Sequence, residues 1–332
     1  MTDARRLLLL GSLVCALCIP ASRAWAAGPP LPSSVSGKAG AVAPGGSERL
    51  ITSRAGDETL VSAVRRAGGA VLRSRTIGGR WRIAPVAFDG STTGLAADGR
   101  VLVLARPVRR FPPASTHLAV LDARELVVRR ELSLPGFFTM DAISPDGRWL
   151  YLIQYAHDEN FLDYRVRALD IRTGRLAARD VVDPREPGEQ MGGLPFTRAL
   201  SRDGRWAYTL YGGGEETFIH ALDTVGRTAA CIDLEMLPPD TDLTGYRLRV
   251  SHDGRRIRVR DPAGGLVATV DPRTFAVSEP GERSSEPAAA APRRTASTPE
   301  DGGGFPWLLL MPAAALGGVC ALAVTIARRR PA

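Results

Sequence analysis

Short apolar runs separated by Asp-Gly turns recur along the middle of this 332-residue chain. Each turn carries an arginine directly after the glycine, and the four pairs are Asp98-Gly99, Asp146-Gly147, Asp203-Gly204 and Asp253-Gly254. Glycine supplies the positive φ that a tight hairpin needs, and the aspartate side chain can cap the turn. The runs after the turns lack strict alternation, as in WLYLIQY at 149–155, which is typical of strands covered on both faces.

A second motif follows each Asp-Gly turn in phase with the first. An apolar residue stands before an aspartate at Leu121-Asp122, Leu169-Asp170, Leu222-Asp223 and Val270-Asp271. Each pair leads through a short turn into another apolar run, so one unit contains four strands in meander order within about 50 residues. The two motifs together predict an all-β fold, a β-propeller of about five four-stranded antiparallel blades. A β-sandwich built of hairpins is the alternative.

The stretch at 48–79 is predicted to be an incomplete unit of the same kind. Ala63 to Arg65 falls where Ala168 to Asp170 falls in a full unit, and Gly69 matches Gly174. The chain would then begin partway through a blade. The last strands, near Val267 to Val277, would complete the circle beside it.

The best-formed turn, Ser144-Pro145-Asp146-Gly147-Arg148, resembles the S-P-D-G-[RK] repeat of WD40-like bacterial propellers, which include TolB-type and surface-layer or lactonase-type proteins. The other three turns keep only part of this motif, and the resemblance covers roughly residues 77–277. It implies the propeller fold and a binding or scaffold role. It implies no catalytic residue, because the motif is structural and such folds serve unrelated functions.

The N-terminal stretch has the pattern of an export signal. Two arginines precede an apolar run, and Ala24-Trp25-Ala26 forms an A-x-A cleavage site, which predicts a signal peptide over 1–26. An uncleaved anchor helix is the alternative, for which the run is short. Proline, glycine, serine and alanine dominate 27–47, so we expect a disordered linker before a propeller domain at 48–280.

The C-terminal stretch has the pattern of a membrane anchor. Residues 281–304 are rich in proline, alanine and serine and predict a disordered stalk. Phe305 to Ala327 contain no charged residue, a length that predicts a transmembrane helix across a hydrocarbon core of about 30 Å. Arginines in the tail at 328–332 favour the cytoplasmic side. We therefore expect a single-pass cell-membrane protein with an extracellular propeller.

Composition narrows the classes of partner and chemistry. The net charge is +8, and almost all of the positive charges are arginines, a bias typical of GC-rich, actinobacterial coding sequences. The sequence contains no basic run interleaved with aromatic residues, so no nucleic-acid partner is predicted. The four histidines show no metal-ligand spacing, and His220 is expected to be packed in a strand. Nucleophile-elbow, phosphate-loop and EF-hand patterns are missing from the sequence, so we predict no catalytic residue, metal or cofactor.

Charged residues on the predicted first strands are the candidates for a ligand site. In propellers the first strand of each blade lines the central channel, and these strands precede the Asp-Gly turns. They carry Asp141, Arg198 and Arg247, with Asp89 nearby. Charged side chains there are costly unless they are paired or face a wet channel. A structural Asp–Arg pair across the channel is the alternative.

The leading functional hypothesis is a non-enzymatic ligand- or protein-binding or scaffold module at the cell envelope, with an envelope protein or carbohydrate as partner. The alternative is a lactonase-like propeller hydrolase with its site at the channel mouth. Ala313, Gly317 and Ala321 recur every four residues in the predicted membrane helix. Small residues at this spacing favour weak homo-oligomerisation through that helix.

Overall fold

A computed structural model describes residues 40–43, 45–108, 110, 112–155, 164–188 and 192–281. The predicted signal peptide, stalk, membrane helix, helix–helix contact and tail lie outside these residues, as does most of the predicted linker. Within the described part, no helix is long and apolar enough to cross a membrane.

Five antiparallel sheets, each made of consecutive strands, account for the described fold. The strands are β1 (Glu48–Ala55), β2 (Glu58–Arg65) and β3 (Val71–Ile77) in sheet 1; β4 (Val101–Ala105), β5 (Ser115–Asp122) and β6 (Val127–Pro135) in sheet 2; β7 (Phe138–Ile143), β8 (Trp149–Tyr155), β9 (Tyr164–Asp170) and β10 (Arg175–Leu176) in sheet 3; β11 (Leu194–Leu200), β12 (Trp206–Gly212), β13 (Phe218–Asp223) and β14 (Thr228–Asp233) in sheet 4; β15 (Arg247–Val250), β16 (Ile257–Arg260), β17 (Leu266–Val270) and β18 (Val277–Ser278) in sheet 5. The predicted all-β fold of antiparallel meander sheets is thus confirmed, with four strands in sheets 3 to 5 and three in sheets 1 and 2.

Sheets 1 and 2 each have a first strand reduced to a single bridge. Ala41 bridges Leu50 of β1, and Leu95 bridges Leu102 of β4. Sheet 1 has three strands, preceded only by the Ala41 bridge, and this agrees with the predicted incomplete unit. The last strands, β17 and β18, pair within sheet 5 and add no strand to sheet 1. The fold also begins before Glu48, since Ala41 is buried within the stretch predicted as linker.

The Asp-Gly turns are held by a small hydrogen-bond network that explains the serine of the motif. The Ser144 hydroxyl donates to Asp146 Oδ1 (2.6 Å), and the Trp149 amide donates back to Ser144 Oγ (2.9 Å). The same bonds recur at Ser201 with Asp203 and at Ser251 with Asp253. Gly147 has φ 70°, as the tight turn requires.

The Leu-Asp motif makes a different turn, between the third and fourth strands of a sheet. Asp170 Oδ1 accepts the amides of Arg172 and Thr173, and the Gly174 amide donates to the Asp170 carbonyl. The equivalent residues four positions after the aspartate are Leu126, Arg227 and Phe275, all with positive φ. This conformation is uncommon for residues other than glycine, and the aspartate cap recurs at all four turns.

The sheets pack face to face in chain order, and apolar clusters fill the space between neighbours. On β4, Leu102 and Leu104 pack towards sheet 1, whereas Val103 packs towards sheet 3. The same alternation explains why the strands read as continuous apolar runs. Among the described residues, no apolar cluster joins sheet 5 to sheet 1.

Two glycines of equivalent turns allow the packing contribution to be separated from backbone strain. Gly147 and Gly254 share φ 70°, but a Cβ at Gly147 would lie 2.6 Å from Val101 Cγ2, whereas one at Gly254 would meet nothing within 4 Å. Both alanine substitutions carry a left-handed backbone cost of about 1–2 kcal/mol. G147A should lose about 1–3 kcal/mol more through overpacking. Urea unfolding followed by tryptophan fluorescence measures both; equal losses would contradict this packing of sheet 3 on sheet 2.

Candidate functional site

Asp141 and Arg198 form a buried ion pair between the first strands of sheets 3 and 4. The Arg198 guanidinium donates to the backbone carbonyl of Asp141 through Nη1 and to Asp141 Oδ1 through Nη2. Its Nε donates to Thr209 Oγ1 at 2.9 Å. The two side chains are only 1% and 3% exposed. All three nitrogens of the guanidinium are therefore committed within the protein.

A β-bulge places the aspartate. The register of β7 against β8 shifts between Met140 and Ala142, so Asp141 is left out of the ladder. A bulge re-aims a side chain relative to the regular pleat. A second bulge in β11, at Phe196, directly precedes the segment that carries Arg198. Two irregular first strands thus bring the carboxylate and the guanidinium together.

A buried polar cluster surrounds this pair. Thr209 of β12 lies directly opposite His220 of β13. His220 is 1% exposed, and its ring lies 6.2 Å from that of Tyr211 in an edge-on arrangement. Within the described residues, Asp141 Oδ2 and His220 Nε2 have no hydrogen-bond partner. Burial lowers the pKa of His220 to about 4, against a smaller opposing effect of the Asp141 carboxylate.

Asp89 enters from a hairpin at 85–92, which lies against β11. The amides of Phe88 and Asp89 donate to the carbonyls of Pro195 and Phe196, both at 3.0 Å. The Thr197 hydroxyl donates to Asp89 Oδ2 at 2.7 Å and accepts the Leu248 amide of β15 at 3.3 Å. One hydroxyl therefore connects the hairpin, β11 and β15, and the first strands of sheets 3, 4 and 5 meet here.

Arg247 stands apart from the other three candidates. It begins β15, is exposed, and donates through Nη1 to the carbonyl of Tyr246 at 2.8 Å. The neighbouring Leu248 packs towards sheet 4, so Arg247 points to the opposite face of sheet 5. The structure thus joins Asp141 with Arg198 and leaves Arg247 on another surface. Asp89 lies in the neighbouring hairpin and is bonded to Thr197 of β11.

Several residues around the ion pair were not predicted from the sequence. Thr197 and Thr209 were not singled out, because threonine is common in strands and neither bulge is visible as a motif. His220 was expected to be packed in a strand, and its burial confirms this. One feature of the sequence could have pointed to the two threonines. They are polar residues in otherwise apolar strands that contain or adjoin the charged candidates.

The free space near the pair is small. A pocket lined by Thr92, Ala142, Arg198 and Leu200, among others, holds about 30 Å³. Among the described residues, no three His, Cys, Asp or Glu side chains come together as a metal site.

The comparisons with known proteins concern the fold. No family model and no curated protein match the chain. Similar solved structures include the hydrazine synthase of Kuenenia stuttgartiensis (13% identity, TM-score 0.41, covering 72% of this chain and 70% of that one). TolB from Acinetobacter baumannii has 12% identity and a TM-score of 0.39, and the match covers 71% of this chain and 54% of TolB. The Myceliophteria thermophila Cps50 (Swd1) β-propeller domain has 12% identity and a TM-score of 0.36, and the match covers 68% of this chain and 69% of that domain.

The consecutive antiparallel sheets of three or four strands and the converging first strands of sheets 3 to 5 define the β-propeller class. TolB and the Swd1 propeller domain are among the solved structures that this chain is similar to. The chain spans about half the length of the TolB chain (54%).

Removing one partner of the buried pair should destabilise the protein strongly. R198M would leave the Asp141 carboxylate buried without its counter-ion, at a cost of about 3–5 kcal/mol. The double variant D141L/R198M should recover most of this loss, because an apolar pair carries no desolvation penalty. R247M, at an exposed position, should stay within about 0.5 kcal/mol of wild type. Urea unfolding measures all three; additive losses in the double variant would contradict the pairing.

Burial of neutral His220 should make stability depend on pH. Its folded pKa of about 4 lies below the unfolded value of about 6.5, so the unfolded chain binds the proton first. Stability should therefore fall by about 3 kcal/mol as the pH drops from about 6.5 to about 4 and should change no further below that through this group.

The matched variants for this pH effect are H220L and H252L. Unfolding free energies at pH 7 and pH 4.5 should differ less in H220L than in wild type, because the titrating group has gone. H252L, at an exposed turn position, should retain the wild-type difference. An unchanged difference in H220L would show that another group carries the acid sensitivity.

Proposed function

We propose that this protein is a non-enzymatic binding or scaffold propeller, displayed outside the cell on a single C-terminal membrane helix. The observation that carries the proposal is that the charged groups where the first strands meet, which we call the axis pair, bind each other. Arg198 and Asp141 are buried in a mutual ion pair, and the hairpin at 85–92 lies against β11. Recognition therefore uses the outer surfaces of the sheets and their turns.

The chemistry of the pair supports a structural role for it. A ligand that displaced Asp141 from Arg198 would break charge-assisted hydrogen bonds in a buried setting and leave one charge uncompensated. The small adjoining pocket holds about 30 Å³, which is far below the several hundred Å³ of a typical small-molecule site. Both considerations favour a macromolecular partner over a small substrate.

The sequence supports the proposed placement in the membrane. The 23 residues from Phe305 to Ala327 carry no charge and are followed by three arginines. A cleaved N-terminal signal sends the chain outward, and the positive-inside rule places those arginines in the cytoplasm. Partners within reach of such a propeller are envelope proteins or carbohydrates.

The full chain with a tag after Ala332 tests display and recognition together. In intact protoplasts, protease should release a soluble fragment that ends within 281–304, while the tag stays protected. Chemical cross-linking in intact cells should capture the same envelope component with wild type and with D141L/R198M, because the axis pair does not contact the partner. Mass spectrometry of the released fragment and of the cross-linked species gives both results.

Two outcomes would overturn the proposal. A protected propeller with a digested tag would reverse the orientation and remove the display role. Loss of cross-linking in D141L/R198M, at unchanged thermal stability, would place ligand recognition at the axis instead.

A further inference from the structure

One face of sheet 5 carries four arginines in a compact array. On β15 and β16, the apolar residues Leu248, Ile257 and Val259 pack towards sheet 4. Successive side chains of a strand point to opposite faces. The residues between them therefore lie on the other face, which we call the arginine face, and they are Arg247, Arg249, Arg258 and Arg260.

The arginines oppose one another across the two strands. Arg247 pairs in register with Arg260, and Arg249 pairs with Arg258. Directly opposed like charges destabilise a sheet. Neighbouring strands lie about 4.8 Å apart, and alternate residues of one strand about 6.8 Å apart, so four cations share a small rectangle. The repulsion between the four arginines destabilises the sheet. An external anion bound to this face would compensate that repulsion.

No such anion comes from the described part of the chain. None of its ion pairs involves the arginine face. Two of the four instead reach backbone carbonyls, Arg247 that of Tyr246 (2.8 Å) and Arg260 that of Gly264 (2.6 Å). Elsewhere the same residue type is paired, as in Arg205 with Asp223 at 2.6 Å.

The face is accessible, and an apolar side chain borders it. Arg247 and Arg249 are exposed, and Arg258 and Arg260 are half-buried. Leu266 of β17 lies opposite Arg260 and is 37% exposed. Arginine forks match phosphate oxygens, and an apolar residue beside basic ones is typical of surfaces that rest at the headgroup level of a bilayer.

We propose that the arginine face docks on the anionic phospholipid headgroups of the membrane in which the chain is anchored. The inference rests on the proposed membrane display. Sheet 5 is the last sheet before the predicted stalk at 281–304, whose 24 residues reach at most about 80 Å when fully extended. The tether therefore keeps headgroups at a high effective concentration near this face, and charge complementarity selects anionic ones.

The test uses the full chain in lipid nanodiscs of phosphatidylglycerol or of phosphatidylcholine. Phenylglyoxal modification of individual arginines is followed by mass spectrometry. The four arginines of the face should react about fivefold more slowly in phosphatidylglycerol discs, and 1 M salt should abolish the difference, because it shortens the screening length to about 3 Å. Arg172 and Arg175, exposed at the β9–β10 turn, should react equally in both discs.

Matched variants separate this face from net charge. R249Q/R258Q should remove the protection of Arg247 and Arg260, whereas R172Q/R175Q, with the same change in charge, should retain it. Protection in R249Q/R258Q equal to that of wild type would overturn the assignment to this face.

The outcomes also separate docking from anchoring. Equal reactivity in the two discs, with the chain co-eluting with both, would overturn docking and leave the anchor intact. Failure to co-elute with any disc at high salt would overturn membrane display itself. Protection by soluble polyglutamate in phosphatidylcholine discs, without protection by phosphatidylglycerol, would overturn lipid docking in favour of an acidic protein partner.

Discussion

Coverage of the middle sheets on both faces is the constraint on which this fold depends. A strand such as β4 sends Leu102 and Leu104 to one neighbour and Val103 to the other, so it has no face left for a solvated charge. Burying a charge without a partner costs several kcal/mol, on the order of the net stability of a domain. Charged side chains are consequently missing from β4, β8 and β12, whereas β6 and β9, later in their sheets, do carry them.

The Asp141–Arg198 pair is the main exception, and its surroundings show how it is accommodated. Bulges in β7 and β11 remove the local ladder geometry, so the carboxylate and the guanidinium can meet. Thr209 supplies a further acceptor, and Thr197 connects the adjoining strand to Asp89 and to β15. Such a pair adds little net stability over an apolar pair, but it discriminates strongly against any arrangement that separates the two charges. We therefore expect the pair to favour the observed placement of β7 and β11 over placements that separate the two charges.

The sequence predicted the parts of the fold that repeat, and the structure differs where a repeat is degraded. The Asp-Gly and Leu-Asp turns were visible because the same backbone requirement recurs four times. Ala41 was hidden in a proline- and glycine-rich stretch, since a first strand reduced to one bridge leaves no periodicity. Of the candidate site, Asp141 and Arg198 were found because charge is unusual in apolar strands. The bulges, the hairpin at 85–92 and the outward face of Arg247 depend on tertiary packing, which no local pattern encodes.

The two groups of charges differ in what they can recognise. The axis pair is neutral as a unit, and its donors are used within the protein, so a partner gains little there and must first break existing bonds. The four arginines of sheet 5 are already held in an unfavourable arrangement by the strands that carry them. An anionic surface relieves that repulsion and requires no internal bond to a carboxylate to be broken. The buried Asp141–Arg198 pair therefore serves the placement of the first strands. The arginine face of sheet 5 carries the charges that are available for binding.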